Sequence, residues 1–202
     1  MAITTDKKIK IGLKMSIMSV LSNSLQNGQG MRDVIFFAGC DHHCPQCQNP
    51  STHDIYNGVR LTVDEVFKHL TGEQEICDGL TLSGGDPFKQ PKAIVEIVTE
   101  YRKRFADRDV WCYTGYRLEE LLELAETDRD IKNALEVIDI LVDGKYNYKL
   151  NPHEDSSVID LSYSNPDRDS LYTSYKYSGS LNQRLWKRNT DNSWDRYIVE
   201  AP

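Results

Sequence analysis

Three cysteines that lie within eight residues of one another are the side chains of this sequence best suited to chemistry. The segment Cys40-Asp41-His42-His43-Cys44-Pro45-Gln46-Cys47 gives them the spacing C-x3-C-x2-C. Thiolates in so short a loop can hold a metal ion or an iron–sulfur cluster. Zinc would need a fourth ligand, which His42, His43 or His53 could supply. A four-iron cluster on three thiolates is the other interpretation, and it leaves one iron open to bind a substrate.

The rest of the sequence predicts a reducing environment for these cysteines. The longest apolar stretches, Val34–Ala38 and Ile138–Val142, have strand length and are too short to cross a bilayer. Residues 1–14 contain no apolar core of the kind found in signal peptides. We therefore expect a cytoplasmic protein without membrane contact, in which a tight cysteine cluster is more typical of a metal or redox site than of disulfides. Cys77 and Cys112 stand apart and are expected to be small buried side chains.

The net charge and the chain length indicate what the protein binds and how many domains it has. The net charge of -7 over 202 residues argues against direct binding of nucleic acid, because phosphate backbones select clustered lysine and arginine. This length suits one domain better than two. We expect a single domain over 1–202, with its core at about 28–150 and an irregular C-terminal segment at about 151–202.

Strand-length apolar runs alternate with helical patterns along the core. The runs are Val34–Ala38, Leu80–Leu82, Val110–Tyr113 and Ile138–Val142. The helical patterns follow the capping-box signature Thr62–Glu65 and then cover Lys92–Arg104 and Leu118–Ala125. This alternation predicts an α/β fold built of βαβ units around a mainly parallel sheet.

Polar loops follow each of these apolar runs directly. They are the cysteine segment, Ser83–Pro87, Thr114–Gly115 and Asp143–Lys145. Because the carboxyl ends of parallel strands meet at one edge of a sheet, we expect the four loops to converge on one site. Gly84 and Gly85 would let the backbone approach a ligand closely there.

Five segments that occur in a fixed order give the chain a family resemblance. They are Asn27–Arg32, Gly39–Thr52, Leu82–Pro87, Val142–Tyr146 and Ser178–Arg184. With them the chain resembles the activating proteins of anaerobic ribonucleoside-triphosphate reductases, which are members of the radical S-adenosylmethionine superfamily. The resemblance runs from about Gly28 to Arg184 and implies a partial (β/α) barrel of the radical S-adenosylmethionine type.

The resemblance also implies a site. Cys40, Cys44 and Cys47 would be the catalytic metal ligands of a [4Fe-4S] cluster, and S-adenosyl-L-methionine would chelate the fourth iron. Gln46, Cys47 and Gln48 would line the adenosine side of that cofactor.

The strand-end loops would hold the rest of the cofactor. Ser83, Gly84, Gly85 and Asp86 match the family's Gly-Gly-Glu-type loop, which holds the methionine amino group. Asp143 and Lys145 align with an Asp-x-Lys that contacts the cofactor in pyruvate formate-lyase activating enzymes. We further expect His42 to make a hydrogen bond to a cluster sulfur.

The activity that the resemblance implies is the activation of a partner enzyme. Reductive cleavage of S-adenosylmethionine would give a 5′-deoxyadenosyl radical, which would take a hydrogen atom from a glycine of the large reductase subunit. An external one-electron donor, flavodoxin-like or similar, would supply the electron. The alternatives are an activase of another glycyl-radical enzyme, such as pyruvate formate-lyase, and a non-catalytic zinc-binding module. We expect the stretches Tyr163–Tyr177 and Ser178–Arg184 to dock the reductase.

Overall fold

A computed structural model describes residues 12–70, 76–151 and 177–199, and its strands form one eight-stranded sheet. In chain order the strands are β1 (Met15–Ser24), β2 (Arg32–Phe37), β3 (Val59–Leu61), β4 (Gly79–Gly84), β5 (Asp109–Tyr113), β6 (Ile140–Asp143), β7 (Arg184–Arg188) and β8 (Trp194–Arg196). The α-helices are α1 (Val63–His69), α2 (Pro91–Arg104), α3 (Leu118–Ala125) and α4 (Arg129–Val137). None of these helices combines the length and apolarity needed to cross a membrane.

Four parallel strands form the centre of the sheet. The strand order is β3-β1-β2-β4-β5-β6-β7-β8, and β2, β4, β5 and β6 pair in parallel. Antiparallel pairs extend both sides, β1 and β3 next to β2 and β7 and β8 next to β6. The predicted α/β class is confirmed, whereas the parallel arrangement holds only for the centre. Within the described ranges the sheet is not closed, and β3 and β8 are its edges.

The predicted elements are present, and the strands that the pattern missed are β1, β3 and β8, which pair in antiparallel fashion. The apolar run Val34–Ala38 becomes β2, so the cysteine loop follows the second strand rather than the first. β1 mixes serines and an asparagine into its sequence and is only partly buried, which hides it from a search for apolar runs. The capping box predicted at Thr62 and Glu65 is confirmed at the start of α1. α4 was missed, although the Asp128 side chain caps its first turn.

The pairing register divides the apolar side chains between two faces of the sheet. Ile35, Leu82, Cys112 and Leu141 are neighbours in register and pack against the helices. The alternating residues of the same strands, such as Trp111, form a smaller core on the other face. Because both faces of the central strands are covered, the polar loops can collect only at the strand ends. Cys112 and also Cys77 are buried, as predicted.

A buried arginine connects the amino ends of the central strands. Arg32 on β2 contacts Asp109 Oδ1 at 2.7 Å and donates to Leu80 O at 2.7 Å through the same Nη2. Its Nε donates to Thr81 Oγ1 at 2.7 Å, and its guanidinium lies 5.3 Å from the centre of the Trp111 ring. One side chain on β2 therefore contacts β4 and β5, the next two strands of the sheet, and stabilises their register.

Replacing Arg32 with Met is expected to lower the free energy of unfolding by about 3 kcal/mol, because buried acceptors on β4 and the carboxylate of Asp109 lose their donor. Chemical denaturation of the metal-free chain measures this change. The control is Lys103→Met, which removes an exposed ion pair with Glu100 and should cost less than about 0.5 kcal/mol. Equal losses in the two variants would contradict the role given to Arg32.

Candidate metal and cofactor site

The three cysteines of the predicted ligand loop line one open cleft at the carboxyl ends of the central strands. Cys40, Cys44 and Cys47 all contribute to its wall, and the cleft volume is about 660 Å³. The strand-end loops supply further wall residues, namely Ser83, Gly84, Gly85, Thr114, Gly115 and Gly144. The predicted convergence of the four polar loops is thus confirmed.

Backbone hydrogen bonds fix the start of the cysteine loop. The Gly39 N–H donates to Thr52 O at 2.7 Å, and the Cys40 N–H donates to His53 O at 3.0 Å. His53 therefore holds the start of the loop through its carbonyl oxygen.

A tight turn then brings the second and third cysteines together. The Cys47 N–H donates to Cys44 O at 3.1 Å, and Gln46 inside this turn has a left-handed φ of 53°. Gln46 is exposed and does not line the cleft, whereas Gln48 does. Of the two glutamines predicted to face the adenosine, only Gln48 is therefore placed on the wall.

Two of the three thiols, Cys40 and Cys44, have a raised pKa and hold their protons more tightly than a free cysteine does. Burial raises the pKa of Cys40 to about 11 and also raises the pKa of Cys44. A backbone N–H opposes each shift, and such donors stabilise thiolate sulfur. The opposing N–H belongs to His42 for the pKa of Cys40 and to Tyr146 for the pKa of Cys44. The Asn49 N–H donates to Cys47 Sγ at 3.4 Å.

The three cysteine thiols share the cleft wall without a disulfide between them. Across the described ranges, no three His, Cys, Asp or Glu side chains are arranged to hold one metal ion. A zinc ion would need its ligands to meet at one point, whereas a four-iron cube would bind each cysteine at a different iron atom.

Asp86 lies behind the cleft wall and connects the cysteine loop to the loop after β5. Its Oδ2 lies 2.6 Å from His42 Nε2, and it accepts from Thr114 Oγ1 at 2.9 Å and from the Gly115 N–H at 3.0 Å. Its Oδ1 accepts from the Phe88 N–H at 2.9 Å. The carboxylate, predicted to contact a methionine amino group, is 2% exposed and already has these partners. The imidazole of His42, predicted to make a hydrogen bond to a cluster sulfur, contacts Asp86.

Two glycines at the end of β4 allow this loop to pack against the cysteine loop. The Gly85 N–H donates to Phe37 O at 2.8 Å, and the Asp86 N–H donates to Gly39 O at 2.8 Å. A Cβ on Gly85 would lie 2.5 Å from Gly39 O, and Gly84 has a left-handed φ of 105°. The close approach that these glycines permit is therefore to the backbone before Cys40, while Ser83, Gly84 and Gly85 still face the cleft.

The strand-end Asp143–Lys145 is only partly on the cleft wall. Gly144 lines the cleft, whereas Asp143 and Lys145 do not. Asp143 is fully buried, and its carboxylate accepts from the Leu118 N–H at 2.7 Å and from Arg184 Nε at 2.9 Å. Lys145 is exposed. The predicted contacts of Asp143 and Lys145 with the cofactor stay predictions, because Asp143 is paired inside the protein and Lys145 is exposed.

Sequence reasoning missed the wall that faces the cysteines across the cleft. Leu25, Gln26 and Asn27 come from the loop between β1 and β2, and Tyr113 and Tyr177 stand on the sheet side. The Tyr113 hydroxyl donates to Tyr177 O at 2.7 Å and so joins these two residues of the wall. Asn27 belongs to the family-like segment Asn27–Arg32, which was the one available signal for it.

The two predicted docking stretches have different outcomes. Of Tyr163–Tyr177, the residues 163–176 lie outside the described ranges, and Tyr177 is buried. Ser178–Arg184 turns towards the strand-end loop: Ser178, Gly179 and Gln183 line the cleft. This second stretch forms part of the cleft wall, and its docking to the reductase stays a prediction.

Comparison with known proteins identifies the family of the chain. Residues 26–186 match the family described as 4Fe-4S single cluster domain. The chain is 34% identical over 173 residues to the anaerobic ribonucleoside-triphosphate reductase-activating protein of Enterobacteria phage T4, which covers 83% of this chain and 90% of the relative. The chain belongs to this family of activating proteins. The namesake proteins of Vibrio cholerae and Escherichia coli strain K12 are 37% and 34% identical over 125 residues, which are 59% of this chain and 77% of each relative.

The part that matches the 4Fe-4S single cluster domain contains nearly the whole cleft. It begins at residue 26 and ends at residue 186, so it includes the three cysteines, the loop after β4 and Gln183. Leu25 is the one residue on the cleft wall that precedes it.

Replacing Gly85 with Ala is expected to reduce the iron bound per chain after anaerobic reconstitution by more than half. The new Cβ would displace Gly39 and the start of the cysteine loop, because it meets their backbone at 2.5 Å. Gly12→Ala is the matched control, since its Cβ meets only the methyl group of Thr62 at 3.8 Å. Full iron loading of the Gly85 variant would show that the loop does not depend on this contact.

Replacing Asp86 with Asn is expected to lower the free energy of unfolding by about 1–3 kcal/mol. The amide NH2 group cannot accept the hydrogen bonds that the carboxylate now accepts from N–H groups. Urea denaturation of the metal-free chain measures the loss. The control is Asp41→Asn, an exposed change in the cysteine loop that removes the contact with Lys89, and it should have a much smaller effect. A stability of the Asp86 variant equal to that of the control would rule out the buried network.

Proposed function

We propose that the chain is a radical S-adenosylmethionine enzyme that activates an anaerobic ribonucleoside-triphosphate reductase by placing a glycyl radical on it. The observation that carries this proposal is the open cleft that three cysteines line together with the glycine loop at the end of β4. The names of the relatives support the choice of partner. The proposal includes a partial (β/α) barrel of the radical S-adenosylmethionine type, supported by the open sheet with parallel central strands.

In this proposal Cys40, Cys44 and Cys47 hold a [4Fe-4S] cluster. All three are free of disulfides and half-buried, so they can exchange protons for iron while remaining on the cleft wall. When bound, the cluster and S-adenosylmethionine supply the one-electron cleavage that yields a 5′-deoxyadenosyl radical. The backbone N–H groups that donate to the three sulfurs would stabilise the thiolates.

The remaining cleft is large enough for a cofactor of this size. A volume of about 660 Å³ lies inside the usual range of roughly 300–1,000 Å³ for small-molecule sites. Ser83, Gly84 and Gly85 offer backbone groups for the methionine end, and Gln48 offers a polar side chain for the adenosine end. Asp86 would act as a positioning residue, since it holds the imidazole of His42 and the loop after β5.

The open side of the cleft would admit the target glycine of the large reductase subunit. A radical must be generated next to its target, so the walls must exclude water without closing the site. The protein residues contribute no acid–base pair to this scheme. An external electron donor, flavodoxin-like or similar, completes it, and unpaired cysteines suit a cytoplasmic location.

Replacing Cys44 with Ala is expected to abolish cluster binding and the formation of 5′-deoxyadenosine, because two thiolates leave one more iron without a protein ligand. The measurements are iron per chain and product yield after anaerobic reconstitution and reduction. Cys40→Ala and Cys47→Ala should behave alike.

Cys112→Ala and Cys77→Ala are the matched controls, because both thiols are buried outside the cleft. They should keep the iron content and product yield of the unaltered chain. Iron bound at full stoichiometry by the Cys44 variant would overturn the proposed cluster. Zinc bound tightly by the unaltered chain, without product, would favour the zinc-binding module.

A further inference from the structure

Ser178 is a buried serine on the cleft wall whose hydroxyl is not used by the rest of the protein. The residue is 6% exposed and lines the cleft. Across the residues that the structure describes, its Oγ has no hydrogen-bond partner, and yet it is not one of the polar atoms sealed off from solvent. The hydroxyl therefore opens into the cleft.

The other buried serines and threonines of the described ranges all use their hydroxyls in hydrogen bonds. Ser180, two residues further on, is fully buried, and its Oγ accepts from the Asn147 N–H at 3.1 Å. Because a buried polar group without a partner is costly, the exception at Ser178 indicates a hydroxyl that is kept for a ligand. The remaining buried residues with bonded hydroxyls are Ser16, Ser24, Thr52, Thr81 and Thr114.

The backbone on both sides of Ser178 is held by hydrogen bonds. On one side, Tyr177 is buried, and its O accepts from the Tyr113 hydroxyl at 2.7 Å. On the other side, the Gly179 N–H donates to Gln183 Oε1 at 2.8 Å. The Ser178 hydroxyl is therefore held in place before a ligand arrives, which lowers the entropy lost on binding.

The wall of the cleft is made of neutral hydrogen-bonding groups. Its polar side chains are mainly amides and hydroxyls, and among the described residues it includes no Lys, Arg, Asp or Glu. A charged side chain entering such a cleft would lose hydration without gaining an oppositely charged partner. A segment around a target glycine suits this wall better, because it presents mainly backbone N–H and C=O groups.

Ser178 belongs to a different part of the wall from the groups proposed to hold the cofactor. Those groups come from the cysteine loop and from the glycine loop at the end of β4. The stretch 177–183 instead joins the wall beside Tyr113 on β5 and Gly144 after β6. A radical formed at the cofactor must meet its target inside the same cleft, so part of the wall has to contact the target. The stretch 177–183 is the part that the proposed cofactor contacts leave available.

We infer that the Ser178 hydroxyl binds the backbone of the glycine-bearing segment of the large reductase subunit and helps to select that segment as the target. The inference rests on the proposed function, because the segment enters the cleft only in that scheme. A hydroxyl can donate to a peptide C=O or accept from a peptide N–H. Loss of one neutral hydrogen bond of this kind weakens binding about three- to tenfold.

The test compares Ser178→Ala with the matched control Ser19→Ala. Ser178→Ala removes the hydroxyl without breaking a hydrogen bond of the described ranges, whereas Ser19 is exposed on β1 and does not line the cleft. Both chains are reconstituted and reduced, and electron paramagnetic resonance follows the glycyl doublet at increasing concentrations of the large reductase subunit. Rates are expressed per bound cluster, so that incomplete iron loading does not enter the comparison. Equilibrium dialysis measures the affinity for S-adenosylmethionine separately.

Ser178→Ala is expected to raise the KM for the reductase about three- to tenfold, with kcat and the affinity for S-adenosylmethionine within about twofold of the control. A KM equal to that of Ser19→Ala would overturn the inference. A matching loss of affinity for S-adenosylmethionine would also overturn it, because the hydroxyl would then bind the cofactor. A fall in kcat at constant KM would do the same, since the hydroxyl would then act in a later step than binding.

Failure of the proposed function has a different signature. In that case the unaltered chain itself would bind no [4Fe-4S] cluster or would form no glycyl doublet on the reductase. That result would remove the proposed function and the inference together, whereas an unchanged KM in Ser178→Ala would remove the inference alone.

Discussion

The parallel register of the four central strands is the constraint on which the site depends. Phe37 at the end of β2 stands beside Gly84 on β4, and Tyr113 on β5 stands beside Val142 on β6. Strands aligned in this way end at one edge, so each following loop begins within reach of the next. The cysteine loop needs no long excursion to face the glycine loop, because the two start from neighbouring strands and share backbone hydrogen bonds.

Two buried carboxylates at the strand ends fix the positions of the loops that form the cleft wall. Asp86 follows β4 and Asp143 ends β6, and both are almost completely inaccessible to solvent. Each accepts from the backbone N–H of a loop or helix and contacts a nitrogen-bearing side chain from a distant segment. A buried carboxylate is costly unless such partners surround it, so each one selects a specific arrangement of its neighbours. In this way the strand-end acids position the wall.

The sequence could predict the parts of the molecule that depend on local pattern. Apolar runs such as Val110–Tyr113 and the capping box at Thr62 have short-range signals, and the strands and helices they predict are present. The cysteine spacing likewise locates the ligand loop. β1 was missed because its partly exposed, serine-containing sequence has no apolar run. The partners of Asp86 and Arg184 lie about forty residues away along the chain, and no local pattern encodes contacts over that distance.

The central claim is that this cleft delivers a radical to a glycine of an anaerobic ribonucleoside-triphosphate reductase. The most direct test is electron paramagnetic resonance of the large reductase subunit after incubation with the reconstituted, reduced chain and S-adenosylmethionine. We expect a glycyl doublet that is absent when Cys44→Ala replaces the unaltered chain. A doublet on pyruvate formate-lyase but none on the reductase would contradict the account and assign the chain to a different glycyl-radical partner.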